Sequence, residues 1–205
     1  MRPSKRDAIL EAALRVVERG GVSAVTFESV AAEAGLTKAG VVYHFPTSRD
    51  LLLALQEHLA QQWQIDLEAQ LGEPVESASG DDKLAAYVRD SSHSSSRAEL
   101  LLMLETVDDP QAYAPWHAVM ARWAPAVDTD QSMTDEQLDH LVARLAADGL
   151  WLYESLSTTH RLTPAVRDQI VTRLSALAHH DGESGGAVPG DGDAGEDAED
   201  GSREH

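Results

Sequence analysis

The sequence predicts an all-α protein, and three observations carry that prediction. Apolar residues recur at three- and four-residue spacing in nearly every patterned stretch, as in Ile9, Leu10, Ala13, Leu14 and Val17. No segment sustains the alternation of apolar and polar residues that a half-buried strand needs. Residues that start and stop helices stand where the patterned stretches begin and end.

The elements follow in order. Ser4 with Asp7 makes a capping-box pattern for a first helix, which Gly20-Gly21 ends. Thr26 suits the N-cap of a short helix running through Ala34, and Gly35 breaks the chain. Thr37 caps a third short helix that runs to Phe45 and stops at Pro46. Thr47 with Asp50 opens a long helix to about Leu71, closed by Gly72-Glu73-Pro74. Beyond a turn-rich linker, helices are expected near 82–92, 97–107 and 112–124. Thr134 with Gln137 opens a helix to about Leu156, and Thr163-Pro164 opens the last, to about His179. This divides the chain into a three-helix head over 1–46, a helical body over 47–180 and a tail over 181–205. The tail is mostly Gly, Asp, Glu, Ser and Ala, cannot offset its own ordering entropy, and is expected to be disordered.

Composition narrows the class of protein. Of the 205 residues, 42% are apolar, enough for a core, yet no apolar run approaches the roughly 18 residues of a membrane helix. The charged N-terminal segment is no secretory signal, and the lack of cysteine suits the cytoplasm. The net charge of −19 at first argues against nucleic acid. Its distribution changes that. Residues 1–60 hold seven basic and seven acidic side chains, 61–180 hold eight and 19, and 181–205 hold one and nine. Only the head is electrostatically fit to approach phosphate.

Three helices within 45 residues, the last two separated by one glycine, have the layout of a helix-turn-helix. At about 100° per residue, Val41 and Phe45 share one side of the third helix, fit to pack on Val30, Ala31 and Leu36. Ala39, Val42 and Tyr43 point roughly the other way, with Lys38 on the flank. An ordinary surface helix has no reason to put Val42 and Tyr43 outward. A helix in the major groove does, because Ala39 and Val42 can meet thymine methyls and Tyr43 can hydrogen-bond a base edge or phosphate. Gly40 permits close backbone approach, and the free N–H groups after Thr37 suit a phosphate. Arg2, Lys5 and Arg6 are expected to form a mobile basic arm.

The stretch Gly21-Val22, Thr26, Val30-Ala31 and then Ala34 through Pro46, with Leu51-Leu52 after it, resembles the DNA-binding signature of the TetR (tetracycline-repressor) family. The resemblance covers about residues 4–55. It implies an all-helical homodimer with an N-terminal helix-turn-helix head, joined by a long helix to a variable C-terminal bundle that binds an inducer and dimerises. It assigns Thr26, Thr37, Lys38, Tyr43 and His44 to backbone or base contacts. Thr26 and Thr37 are also helix caps, and His44 is also a helix-end histidine. The sequence departs from the common pattern at Val42, where many relatives have tyrosine, and at Ser48, where many have lysine; Arg49 is the replacement candidate for that phosphate contact. What the resemblance implies further is repression at a palindromic double-stranded operator, with release by a small-molecule inducer of unknown identity.

In the body, Leu138, Leu141, Val142, Leu145, Gly149, Leu152 and Leu156 mark one apolar stripe, and Val166, Ile170, Leu174 and Leu177 mark another. Periodicity alone serves an intramolecular core equally well; the family resemblance favours a homodimer through 134–156 and 163–179. Trp63, Tyr87, Met103, Trp116, Met120, Trp123 and Trp151 are candidates to line an inducer pocket or simply the core. Glu105 and Asp148 near them favour a lipophilic cation. An enzyme reading finds little support: His179-His180-Asp181 lacks metal-ligand spacing, and no phosphate loop or nucleophile elbow occurs. No cofactor, metal or membrane partner is expected. A protein-binding helical adaptor leaves the outward Val42 and Tyr43 unexplained.

Overall fold

The computed structural model describes residues 4–92, 96–124, 132–156 and 161–179, and every regular element among them is helical. The order is α1 (Lys5–Gly20), a single 3₁₀ turn (Val22–Ala24), α2 (Phe27–Ala34), α3 (Lys38–His44), α4 (Ser48–Leu71), α5 (Gly80–Asp90), α6 (Arg97–Thr106), α7 (Pro110–Trp123), α8 (Asp135–Leu156) and α9 (Pro164–Ala178). The acidic tail and Arg2 lie outside the described residues.

The caps account for these boundaries. Ser4 and Asp7 exchange both capping-box bonds at the start of α1, and Thr47 and Asp50 do so at the start of α4. Thr134 and Gln137 make the same reciprocal pair before α8. Thr163 accepts from the Val166 N–H with Pro164 in the first helical position of α9. Two departures from expectation come at N-termini. Helix α7 begins at Pro110, not 112, because Asp109 caps it, and it continues through Pro115. Lys5 and Arg6 belong to α1 rather than to a mobile arm, since Ser4 already caps that helix. The Arg6 guanidinium carbon lies 5.3 Å from the centre of the Phe45 ring.

The side chains gather into two cores. The first joins Ile9, Leu10 and Val17 of α1 to Val30, Val41 and Phe45, and is completed by Leu51 and Leu55 of α4 and Leu102 of α6. The second surrounds Trp116 and Trp123 of α7 with Leu67, Val88, Ala143, Ala147, Leu174 and Ala178. Helix α4 serves both, and Leu59 packs against each. Helix α3 has only seven residues, too short to persist alone. Burial of Val41 and Phe45, each contributing roughly 1.5–3 kcal/mol, holds it in place.

Glu33 on α2 binds both Arg15 (2.6 Å) and Arg19 of α1. These two hydrogen bonds, to Arg19 first and Arg15 second, pull its carboxyl down to about 2. A depressed folded value means the stabilisation is complete above the ordinary carboxylate range and disappears as pH falls towards 2. Thermal melts of the wild type and Glu33→Gln should therefore differ at pH 6 and converge by pH 2. Equal separation at both pH values would contradict the assignment.

Candidate nucleic-acid interface and ligand cavity

The turn between α2 and α3 is made by Gly35, whose φ of 66° lies in the left-handed region that a side chain disfavours. Leu36 then returns its N–H to the Ala31 carbonyl at 2.9 Å, closing the end of α2 and aiming the chain into α3. Thr37 accepts from the Gly40 N–H at 3.1 Å. With Val41 and Phe45 buried beneath, α3 shows solvent Thr37, Lys38, Ala39 and above all Tyr43, which is 84% exposed. Val42 and His44 are half-buried, so Val42 projects less than its helical position alone implied. The Tyr43 and His44 rings meet edge to face at 5.2 Å.

Each remaining contact candidate has a present partner. Thr26 caps α2 by accepting from the Ser29 N–H at 3.0 Å. Lys38 pairs with Glu28 at 2.6 Å, and both side chains are largely exposed. Such a pair is worth little in water and exchanges readily for a phosphate. Arg49 is tied to the body: it pairs with Asp109, the N-cap of α7, at 2.8 Å and donates to Gln111 at 3.1 Å. The sequence carried no sign of that link, because the partners lie about 60 residues apart.

A Cβ added at Gly40 would meet Thr37 Oγ1 at 3.4 Å and Leu36 Cβ at 4.0 Å, ordinary contact distances. The protein's own packing therefore does not require glycine here. Alanine has the higher helix propensity by up to about 1 kcal/mol. Gly40→Ala should keep or raise the melting temperature while weakening DNA binding several-fold, as measured by fluorescence anisotropy. Undiminished DNA affinity would remove Gly40 from the interface.

In the body a cavity of about 270 Å³ opens between α4, α5, α6, α7 and α8. Of the residues singled out in the sequence, Trp63, Tyr87, Met103, Trp116, Met120 and Trp151 line it. Trp123 does not. It shares the face of Trp116 but lies seven residues, roughly 10 Å, further along α7, buried with its indole donating to Gln64 at 2.9 Å. Glu105 is exposed and also outside the wall, because it is about 200° around α6 from Met103. The carboxylates that do line the cavity are Asp90, Glu99 and Asp148. Trp63 donates to Asp90 at 3.0 Å and Tyr87 donates to Asp148.

A buried polar link ties the wall to α4, the helix that serves both cores. Trp116 donates to Gln56 Oε1 at 2.7 Å, and the Gln56 amide donates to the Leu102 carbonyl at 3.0 Å. Gln56 has no solvent exposure, so these bonds cannot be replaced by water without reopening the junction of α4, α6 and α7. Glu18 of α1 adds a second link, accepting the Ala98 N–H at 2.8 Å, while Arg97 donates to its carbonyl at 3.0 Å. Elsewhere, at the α5–α8 junction, one ligand-type atom each from Asp81, Glu136 and His140 falls within 4.8 Å, with His140 3.5 Å from Asp81.

Among the described residues no helix is long and apolar enough to cross a membrane. No curated protein matches the sequence. Solved structures resemble the fold at low identity. A protein of Saccharomonospora viridis assigned as a transcriptional regulator, in complex with choline, is 22% identical with a TM-score of 0.60, over 86% of this chain and 96% of that one. The multidrug binding protein EbrR complexed with malachite green is 21% identical with a TM-score of 0.56, over 85% and 98%. A TetR-family member from Streptomyces coelicolor A3 is 21% identical with a TM-score of 0.53, over 84% and 98%. At these identities the likeness speaks for the fold. Residues 9–55 match the family described as bacterial regulatory proteins, tetR family, and residues 81–179 match the tetracyclin repressor-like C-terminal domain. The helix-turn-helix and the body behind it thus belong together: the chain is a member of the TetR family, a helical DNA-binding transcription regulator and not an enzyme.

Proposed function

We propose that the protein is a cytoplasmic homodimeric repressor that binds a palindromic operator and is released by a small molecule entering the body cavity. In this reading the head is 1–46, the ligand-binding and dimerising body is 47–180, and the acidic tail is 181–205. The observation that carries it is α3, which buries Val41 and Phe45 while leaving Ala39 and Tyr43 to solvent on a helix fixed at both ends. An apolar ring kept outward on a rigid helix is of use to a groove. Thr26, Thr37, His44 and Lys38 sit around it to fix the backbone, and Gly40 allows approach. Arg49 reaches a phosphate only by leaving Asp109 and Gln111, so its contact would report the position of α7.

The homodimer rests on α8. Ala143, Ala147, Leu150 and Glu154 face inward, with Glu154 buried and paired to Arg167 of α9 at 3.2 Å. Leu138, Val142, Leu145, Leu152 and Leu156 form the opposite stripe and are all exposed, as is Val166 on α9. Leu174 is buried and Ile170 and Leu177 pack against the body core, so that part of the second stripe serves the protomer itself. Gly149 lies within the exposed stripe, and a Cβ there would meet nothing within 4 Å. Its cost in helix propensity is offset by close approach of a second copy. Two α8–α9 pairs then form a four-helix bundle across a twofold axis.

Release follows if the ligand favours a state with a different spacing of the two heads. Helices α6 and α7 line the cavity and are tied to α1 and α4 through Glu18, Gln56 and Arg49, so a shift in the wall changes the heads. In a gel shift with the DNA flanking the gene, an inverted repeat should compete far better than its scrambled counterpart. Equal competition would overturn the reading.

A further inference from the structure

Away from the cavity, two helices of the body bring three ligand-type side chains together. Helix α8 carries Glu136 and His140 about one turn apart, and α5 carries Asp81 in its first turn. One carboxylate oxygen each from Asp81 and Glu136 and one ring nitrogen of His140 lie within 4.8 Å of one another. The turn angle of α8 accounts for the meeting. Glu136, His140, Ala143 and Ala147 recur at three- and four-residue spacing and so share one face of the helix. Ala143 and Ala147 are buried in the body core, and the same face carries Glu136 and His140 past the end of that core to α5. Leu138, Val142 and Leu145 lie on the opposite face and are exposed. The cluster is therefore made within one protomer.

His140 sets this cluster apart from a patch of surface acid. The residue is half-buried, but its Nε2 is closed to solvent and has no hydrogen-bond partner among the described residues. Asp81 Oδ1 stands 3.5 Å from that nitrogen. A charge-assisted hydrogen bond from a ring N–H to a carboxylate would bring them to about 2.7–2.9 Å. Buried polar atoms without a partner are rare, and a bound ion is one of the few ways to satisfy them. The spacing fits that explanation. Ligand atoms about 2.0–2.2 Å from a tetrahedral ion lie roughly 3.3–3.6 Å from one another. Glu136 is exposed, and a small rotation of its side chain closes the remaining gap of roughly 1 Å. Asp82, next along α5, is engaged elsewhere: it accepts from the Ser79 hydroxyl and stands 3.4 Å from His179 of α9.

We propose that Asp81, Glu136 and His140 bind one divalent transition-metal ion of the zinc type, which clasps the first turn of α5 to α8. The donor set selects that class. One imidazole nitrogen and two carboxylate oxygens suit zinc, with water completing the tetrahedron. Calcium takes six or more oxygen ligands, and magnesium a near-ideal octahedron of oxygens, which this trio does not build. The sequence led to no expectation of a metal because the third ligand comes from another helix, so no local spacing announces it. The clasp also has a place in the molecule. Tyr87 of α5 and Trp151 of α8 both line the cavity, so fixing the crossing of these helices steadies two of its walls. The site depends neither on the regulator reading nor on a second copy meeting the exposed stripe of α8.

The test uses the full chain without an affinity tag, stripped of metal by a chelator and titrated with zinc chloride in a calorimeter. One zinc per chain should bind with a Kd in the micromolar range or tighter. Magnesium or calcium in large excess should not displace it. His140→Ala and Glu136→Gln should each weaken binding by at least roughly tenfold. His117→Gln, which removes an exposed histidine of α7, should leave it unchanged. Zinc at a hundred times its Kd should raise the melting temperature of the wild type by roughly 5–10 °C and should not move that of His140→Ala. Glu136 is exposed, so Glu136→Gln keeps the test open even if His140→Ala folds poorly. Neither heat nor a melting shift at sub-millimolar zinc would overturn the proposal. So would undiminished binding by Glu136→Gln, an equal loss in His117→Gln, or displacement of zinc by magnesium.

Discussion

Replacing Leu145 with glutamate should turn the protein into a monomer and lower operator affinity by more than a thousandfold. Leu145 is 60% exposed in the isolated chain and lies midway along the stripe from Leu138 to Leu156. Its loss therefore removes almost nothing from the protomer core. In a twofold interface the same position is buried, and each substitution places two carboxylates near the axis. Desolvating unpaired charge costs several kcal/mol, enough to dissociate a dimer held by this stripe. A monomer then has one head, and the effective concentration that joins the second half-site to the first is lost. Sedimentation of the variant should give the mass of one chain, with an unchanged helical circular-dichroism spectrum. Gly149→Ala provides a subtler companion: helix propensity should firm the protomer while the added methyl group crowds the partner. A dimeric Leu145→Glu would move the interface elsewhere.

The second large effect belongs to Tyr43. With 84% of its surface exposed and no place in the buried head core, truncation to alanine leaves that core intact. Losing a base or phosphate contact costs about 1–3 kcal/mol per half-site. Both half-sites lose it together, so binding to the operator should fall by roughly 30-fold to about 20,000-fold. The melting temperature should stay within experimental error of the wild type. Thr37→Ala would be a poorer probe, because removing that cap costs about 1 kcal/mol of stability regardless of DNA. If Tyr43→Ala binds the operator as tightly as wild type, the outward face of α3 is not the reading surface.

Features set by neighbouring residues were the most legible in the sequence. Ser4-Asp7, Thr47-Asp50 and Thr134-Gln137 announce helix starts because both halves of each cap are three residues apart. The phase of α3 follows from its turn angle, which placed Val41 and Phe45 inside and Tyr43 outside. The same kind of signal at Asp109-Pro110, a cap followed by proline in the first helical position, marks the true start of α7 two residues before the expected one. Lys5 and Arg6 look like an arm by charge alone, although the cap at Ser4 already commits them to α1.

Long-range partnerships were hidden. Nothing local in Arg49 points to Asp109, and nothing in Gln56 points to Trp116 and Leu102. These contacts depend on how helices cross, which periodicity does not encode. The cavity shows the same division. Aromatic and methionine residues flagged much of its wall, but spacing along α7 could not tell that Trp123 lies beyond its end. Asp90 and Glu99 went unnoticed as its charge because acidic residues on helices are usually solvated. Only their burial among Trp63 and Trp151 distinguishes them from Glu105, which remains in water.

In the proposed repressor, two copies of α3 read DNA through Tyr43 and its neighbours. Selection of bound sequences from a random duplex pool by the purified full chain tests it most directly, with Tyr43→Ala selected in parallel. The wild type should enrich an inverted repeat whose half-sites are centred about 34–36 Å apart, one helical turn or a multiple of it. The variant should lose that enrichment at the positions Tyr43 contacts. An unenriched pool, or the same repeat enriched equally by Tyr43→Ala, would contradict it.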